Sequence, residues 1–273
     1  MPLKAMYNSI AAQYNTANCF GASSESHKCA IEQITREHLG LRPHYKVLDF
    51  GVGDGAFLQK LQQYMQQAEM TGIDVSTEML KRAHVALPSL TTIEASATDA
   101  ERYLPHHSQD LVLAHFINAY IPINILFNQA QLLTRANGHF SIITTTYESF
   151  PVAQQQLAEF IARESLLSSI VGHYYKAVVK NTTVAAGEKE LLQAITQHQF
   201  QIIEHKRLYI PITLKNIDEL ALFGIEGTWF LNSLSIRMLP KNFLLQRIKR
   251  LFNKIFTFPY QDMHIIDVVL AKK

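Results

Sequence analysis

Four acids and three glycines hold the chemistry that this chain displays most openly. Asp49-Phe50-Gly51-Val52-Gly53-Asp54-Gly55 puts glycine at every second position after a carboxylate, and Asp74 and Asp99 follow downstream. Alternating glycines permit a tight turn and let a ligand come closer to the backbone than side chains would allow. A carboxylate closing a second strand, as Asp74 does, can accept both hydroxyls of a ribose. Asp99, beyond a third strand, could accept a hydrogen bond from an adenine amino group. Asp49 and Asp54 place negative charge where a pyrophosphate would be repelled and a cationic amino-acid group attracted. The spacing Gly51-x-Gly53-x-x-Ala56 by itself also satisfies the dinucleotide fingerprint, so the acids carry the distinction.

These residues need strands and helices to hold them. Short apolar runs predict strands near 45 to 50, 70 to 74, 90 to 94, 110 to 115 and 139 to 145, with two more near 200 to 209 and 263 to 271. Helical spacing predicts helices near 28 to 39, 56 to 67, 76 to 86 and 123 to 135. Ser76 reads as an N-cap, Pro122 as a helix start and Gly138 as a helix stop. The alternation argues for an α/β fold, a mostly parallel sheet with helices on both faces. Residues 148 to 187 and 211 to 261 exceed that minimum and fall where cap insertions over a ligand site would lie. No repeat, low-complexity tract or linker marks a second domain, so the chain reads as one domain.

The order of these segments resembles the class I S-adenosylmethionine-dependent methyltransferases, and in particular their small-molecule branch. The resemblance rests on Asp49 to Gly55, Gly72-Ile73-Asp74-Val75-Ser76, Thr98-Asp99-Ala100-Glu101, Gln109 to His115 and the turn from Leu132 to His139. The opening Tyr7 to Tyr14 is similar to the start of quinone-biosynthesis and malonyl-carrier-protein methyltransferases. It implies a Rossmann-like seven-stranded sheet whose last strand is antiparallel, an N-terminal helical lid over residues 1 to 40, and S-adenosyl-L-methionine as cofactor. It also implies a cofactor-binding set of Tyr14, Asp49, Gly51, Val52, Gly53, Asp74, Val75, Met79, Asp99, Ala100 and His115. Val52, Thr98, Gln109 and the Arg135-Ala136-Asn137-Gly138 turn depart from the usual family residues and leave the subfamily open.

The acceptor implied is a small or carrier-linked molecule, methylated in line on a carbon that is already electrophilic. A general base is optional; His115 and Tyr120 are the catalytic candidates, with Tyr7 and Tyr14 as positioning groups. Plain structural roles compete with each of these: backbone and packing contacts for His115, a buried helix stripe for Tyr7 and Tyr14. His106-His107 reads as a solvated loop rather than a metal site. Tyr174-Tyr175 with His173, and Trp229-Phe230, either line a cap pocket or pack it. Two other classes of function stay in view, an NAD-dependent oxidoreductase and a catalytically silent S-adenosylmethionine-binding module.

Composition sets outer limits. With 273 residues, 48% of them hydrophobic, the chain can bury a full core, and a formal charge of +2 gives no sign of dedicated nucleic-acid binding. Cys19 and Cys29 lack zinc-site spacing and suit a reduced, cytoplasmic setting. No apolar run reads as a membrane span or secretory leader. Between Gly227 and Gln261 there is no acid, while Arg237, Lys241, Arg247, Lys249, Arg250 and Lys254 supply six cations. Leu244, Ile248, Leu251, Phe252 and Ile255 form a stripe on the same helix, residues 241 to 256. That helix is either a core-facing element with a solvated charged face or a landing surface for an acidic partner or anionic lipid.

Overall fold

In the computed structural model, which describes residues 3–14, 21–163, 165–180, 183–223 and 241–273, the apolar run after Tyr45 forms the central strand β1 (Lys46–Phe50). Its Val47, Leu48 and Phe50 have no exposed surface. A strand buried on both faces must be covered on both, and parallel neighbours joined by helical crossovers provide that cover. β1 pairs in parallel with β2 (Glu69–Asp74) on one side and β4 (Gln109–His115) on the other. β3 (Thr91–Glu94) extends the first side and β5 (Thr134–Thr144) the second. β7 (Tyr260–Lys272) runs antiparallel between β5 and the long edge strand β6 (Gln201–Leu214). The order is β3-β2-β1-β4-β5-β7-β6. The chain therefore leaves β1 in both directions, and the crevice beyond the carboxyl ends of β1 and β4 is where such sheets bind ligands.

α2 (Ala22–Arg36), α3 (Ala56–Gln62) and α4 (Thr77–Ala86) cover one face through Ile34, Leu58, Leu61 and Ala83. A 3-10 helix (Ala97–Arg102), α5 (Ile123–Leu133) and α8 (Glu188–Gln197) cover the other, around Phe127 and Phe140, whose rings meet edge to face at 5.3 Å. Truncating either ring to alanine would cost about 3–5 kcal/mol. α1 (Leu3–Ile10) lies against α4. A third cluster joins the far ends of β6 and β7 to α6 (Pro151–Ile161), α9 (Ile217–Ala221) and α10 (Lys241–Ile255). α7 (Leu166–Lys180) packs on α6.

Several boundaries differ from the sequence expectation. The helix expected from 28 begins at Ala22, directly after Gly21 at φ +70°. α3 ends at Gln62 because Met65 turns inward to lie under Gly40. Gly138 is not a helix stop. α5 ends at Leu133, where the Thr134 hydroxyl donates to the Ala130 carbonyl at 2.7 Å, and Gly138 lies inside β5. Glycine is needed there because a Cβ would come within 2.7 Å of the Thr134 methyl. Both ends of the span 211 to 261 belong to the sheet, since β6 runs through Leu214 and β7 begins at Tyr260. Cys19, Trp229, Phe230 and Arg237 lie outside the described residues, as do the side chains of Tyr174, Lys241, Leu244, Arg247 and Ile248.

Candidate functional site

A cavity of about 300 Å³ opens at the carboxyl ends of β1, β2, β4 and β5. Gly51 and Gly53 form its floor with φ of +73° and +56°, a backbone that L side chains rarely adopt. A Cβ on Gly53 would meet no protein atom closer than 3.9 Å, so that side of the turn is open to a ligand. Gly55 is different. A Cβ there would strike the backbone of Ala83 at 3.0 Å, which makes this glycine the seat of the α3–α4 packing.

Asp74 ends β2 on the cavity rim, held by two backbone donors: Gly53 N–H to Oδ2 at 3.0 Å and Ser76 N–H to Oδ1 at 2.8 Å. Each oxygen keeps a lone pair, so the carboxylate can still accept a pair of ribose hydroxyls. Burial raises its pKa, and the amides of Ser76, Gly53 and Val75 oppose that rise. Ser76 caps α4, its hydroxyl accepting from Met79 N–H at 3.2 Å and donating to Asn8 Oδ1 at 2.7 Å. Asn8 thereby ties α1 to the site. The Tyr7 hydroxyl donates to that of Tyr120 at 2.7 Å, and Lys4 pairs with Glu94. Burial, with Tyr120, Asp54 and Asp74 nearby, raises the pKa of Tyr14 and keeps the phenol neutral.

His115, at the end of β4, is held among three groups: its Nε2 is 3.1 Å from the Ser141 hydroxyl, Phe57 meets its ring edge-on at 4.3 Å, and His27 lies 6.2 Å away. Its Nδ1 is buried and has no hydrogen-bond partner among the described residues. Burial, then His27, pushes its pKa well below the usual histidine value; His27 itself is lowered to about 3 by burial and Lys60. Both rings are neutral at pH 7. A polar atom left over beside the glycine turn fits a ligand with its own hydrogen-bonding groups.

The structure gathers Tyr14, Gly51, Gly53, Asp74, Val75, His115 and Tyr120 on the cavity wall. Five of the expected residues stand back from it. Asp49 is buried within β1, its pKa raised well above the carboxylate range by burial and then by Asp74. Val52 supports the turn from below against Gly72, and Met79 and Ala100 are core. Asp99 points instead to Arg102, at 3.2 Å, because the 3-10 helix carries it past the rim; Thr98 lines the cavity in its place. Sequence reasoning missed Ser23, Asn118, Thr145 and Phe150, which also line it. The available signal was positional, since each of the last three closely follows the end of β4 or β5. Elsewhere, His107 Nδ1 lies 2.9 Å from Lys273 Nζ in a surface contact, His173 is exposed, and the Tyr147 and Tyr175 hydroxyls meet. Among the described residues no group of three His, Cys, Asp or Glu is placed to hold a metal. Nor is any helix there long and apolar enough to cross a membrane.

Residues 47–138 match the family model described as a methyltransferase domain. A trans-aconitate 2-methyltransferase from Enterobacter is 31% identical over 111 residues, 41% of this chain and 42% of that protein. A malonyl-[acyl-carrier protein] O-methyltransferase from Ilyobacter polytropus is 24% identical over 84% of this chain and 78% of its own length. In three dimensions the YcgJ protein of Bacillus superposes with a TM-score of 0.59 at 14% identity, covering 92% of this chain and 98% of that one. With its glycine floor and carboxylate rim at the switch point of the sheet, the chain is similar to the class I S-adenosylmethionine-dependent methyltransferases, and the methyltransferase-domain match lies in the segment that builds this site.

Proposed function

We propose that the chain transfers the methyl group of S-adenosyl-L-methionine to a small-molecule or carrier-linked acceptor. One observation carries the reading: Gly53 opens the turn toward the cavity while its amide, with that of Ser76, fixes the Asp74 carboxylate at the rim. When bound, the cofactor supplies an electrophilic methyl carbon on a sulfonium. Gly51, Gly53 and Val75 would shape the cradle, Asp74 would accept the ribose hydroxyls, and Thr98 would face the adenine. Burial, and then Asp74, raise the pKa of Asp49 behind the turn, and a positive charge in front of it would oppose the Asp74 contribution.

On the acceptor side, His115 and Tyr120 orient rather than deprotonate. A histidine held so far below its ordinary pKa is a weak base but a dependable neutral hydrogen-bonding group. α1 acts as a lid through its Asn8, Tyr7 and Lys4 contacts, and Phe150, at the start of the segment 148–187, contributes to the cavity wall and to water exclusion. On α10, Lys249 is neutralised by Asp218 at 2.6 Å while Arg250 and Lys254 stay exposed. Phe252 and Ile255 pack inward, so those two apolar groups are spent on the fold. An acidic protein surface suits that arrangement better than insertion into lipid. The free, buried Cys29 suits a reducing cytoplasm.

Calorimetry with S-adenosylmethionine, S-adenosylhomocysteine and NAD tests the reading. Both adenosyl ligands are expected to bind and NAD is not, because Asp54 and Asp74 flank the turn where a pyrophosphate would sit. Tight NAD binding without an adenosyl response would overturn it in favour of an oxidoreductase. Binding without methyl transfer to any acceptor would favour a silent binding module.

A further inference from the structure

The wall that faces the cofactor cradle is built from the loop after β4 and the end of β5. Phe116, Ile117, Ile121, Pro122 and Phe150 give it an apolar surface. Among the described lining residues none is lysine or arginine, and Asp74 is the one charged group. The nearest nitrogen bases, His115 and His27, are neutral. The charge on the described wall is therefore that of the Asp74 carboxylate alone, and it is negative. The single positive charge that a sulfonium brings is already balanced by Asp74. A carboxylate or phosphate entering here would lose its water without gaining a counter-cation, and that desolvation exceeds what neutral hydrogen bonds return.

Besides His115 Nδ1, the cavity lining carries a second unspent polar group. Asn118 is 2% exposed, and the Thr144 hydroxyl lies 2.6 Å from its Oδ1. The Thr144 hydroxyl also lies 2.9 Å from the Thr145 carbonyl and can donate only once. With Oδ1 facing Thr144, the amide Nδ2 is buried and has no hydrogen-bond partner among the described residues. A buried amide with half its capacity unused is costly unless a ligand completes it. A hydroxyl oxygen completes it by accepting from that Nδ2.

Building on the methyltransferase reading, we propose that the acceptor is an uncharged molecule with an apolar body and a hydroxyl group recognised by Asn118, and that the site rejects carboxylates and phosphates. This separates the chain from relatives whose names carry aconitate and malonyl groups. Asn118 is then a specificity-determining residue and Thr144 the group that positions it.

The test is calorimetric titration of the protein saturated with S-adenosylhomocysteine, which first verifies the cofactor site independently of any acceptor. Matched pairs are then compared: 4-hydroxybenzamide against 4-hydroxybenzoate, and a neutral long-chain alcohol against its phosphate monoester. The neutral member is expected to bind at least about tenfold more tightly in each pair, as removing a charge penalty of one to two hydrogen bonds implies. Asn118→Leu is expected to weaken the hydroxylated members about three- to tenfold while leaving S-adenosylhomocysteine affinity and 4-methylbenzamide binding unchanged. Anions binding as well as their neutral partners would overturn the proposal, as would failure of every neutral member to bind at millimolar concentration. Failure of S-adenosylhomocysteine to bind would instead remove the reading beneath it.

Discussion

Gly53→Ala and Gly55→Ala are chemically identical changes two residues apart, and the structure assigns them opposite consequences. Both glycines have positive φ, +56° and +79°, so alanine at either costs roughly 1–2 kcal/mol of backbone strain. At Gly53 the new methyl meets nothing within 3.9 Å, so the strain is the whole effect on folding, a fall in Tm of about 2–8 °C for a chain of this size. That methyl projects into the cofactor cradle, and crowding of one methyl into a filled site costs about 1–3 kcal/mol, weakening binding roughly five- to 150-fold. At Gly55 the methyl lies 3.0 Å from the Ala83 Cα, a backbone atom that cannot swing aside. Overpacking then adds about 1–3 kcal/mol to the strain, and Tm falls further. Gly55 does not line the cavity, so the protein that remains folded keeps its affinity. Scanning calorimetry gives Tm, and titration with S-adenosylhomocysteine below both transitions gives Kd. Unchanged affinity in Gly53→Ala, or weakening confined to Gly55→Ala, would refute the assignment of floor and support.

Three further outcomes follow from the same geometry. Asp74→Ala removes two charge-assisted ribose bonds and the anchor of the Gly53 amide, and S-adenosylhomocysteine affinity should fall about 100-fold or more; an unchanged Kd in titration would show that the ribose lies elsewhere. Asp267 is buried beneath Arg207 at 3.0 Å and His205 at 2.8 Å, so Asp267→Ala strands a guanidinium and should cost about 3–5 kcal/mol in urea unfolding. A loss below about 1 kcal/mol would mean that Glu148 and Glu188, also paired with Arg207, suffice alone. Two buried histidines should lower stability on acidification. His27 and His264 have folded pKa values near 3 against 6.5 in the free side chain, so the unfolded chain takes up protons first. Their contribution is fully present above pH 6.5 and is lost as pH falls toward 3, at about 1.4 kcal/mol per pH unit for each ring. A Tm that holds constant from pH 7 to 5 would contradict the burial of both.

Much of this molecule was legible in one dimension because short-range physics writes it. The apolar runs, the glycine turn, Ser76 as a cap and Asp74 at a strand end depend on neighbours within a few residues, and they fell where periodicity and turn chemistry put them. The family followed from their order. Gly138 shows the limit of that reasoning: a glycine after a helix signals a stop, yet it is required here by the approach of Thr134, which the sequence pattern does not reveal. Asp99 shows it again, since one turn of 3-10 helix decided whether the acid or Thr98 faced the cavity.

The sequence by itself determined the glycine turn and the strand-end carboxylate Asp74, because both depend on neighbours in contiguous segments. The wall facing that turn was decided only by tertiary structure. Asn118, Thr144 and Thr145 become neighbours only when β4 and β5 align, Tyr7 reaches Tyr120 across 113 positions, and His115 is made neutral by burial among Phe57, His27 and Ser141. Charge state and hydrogen-bond debt are properties of packing, and no spacing of residue types along the chain specifies them.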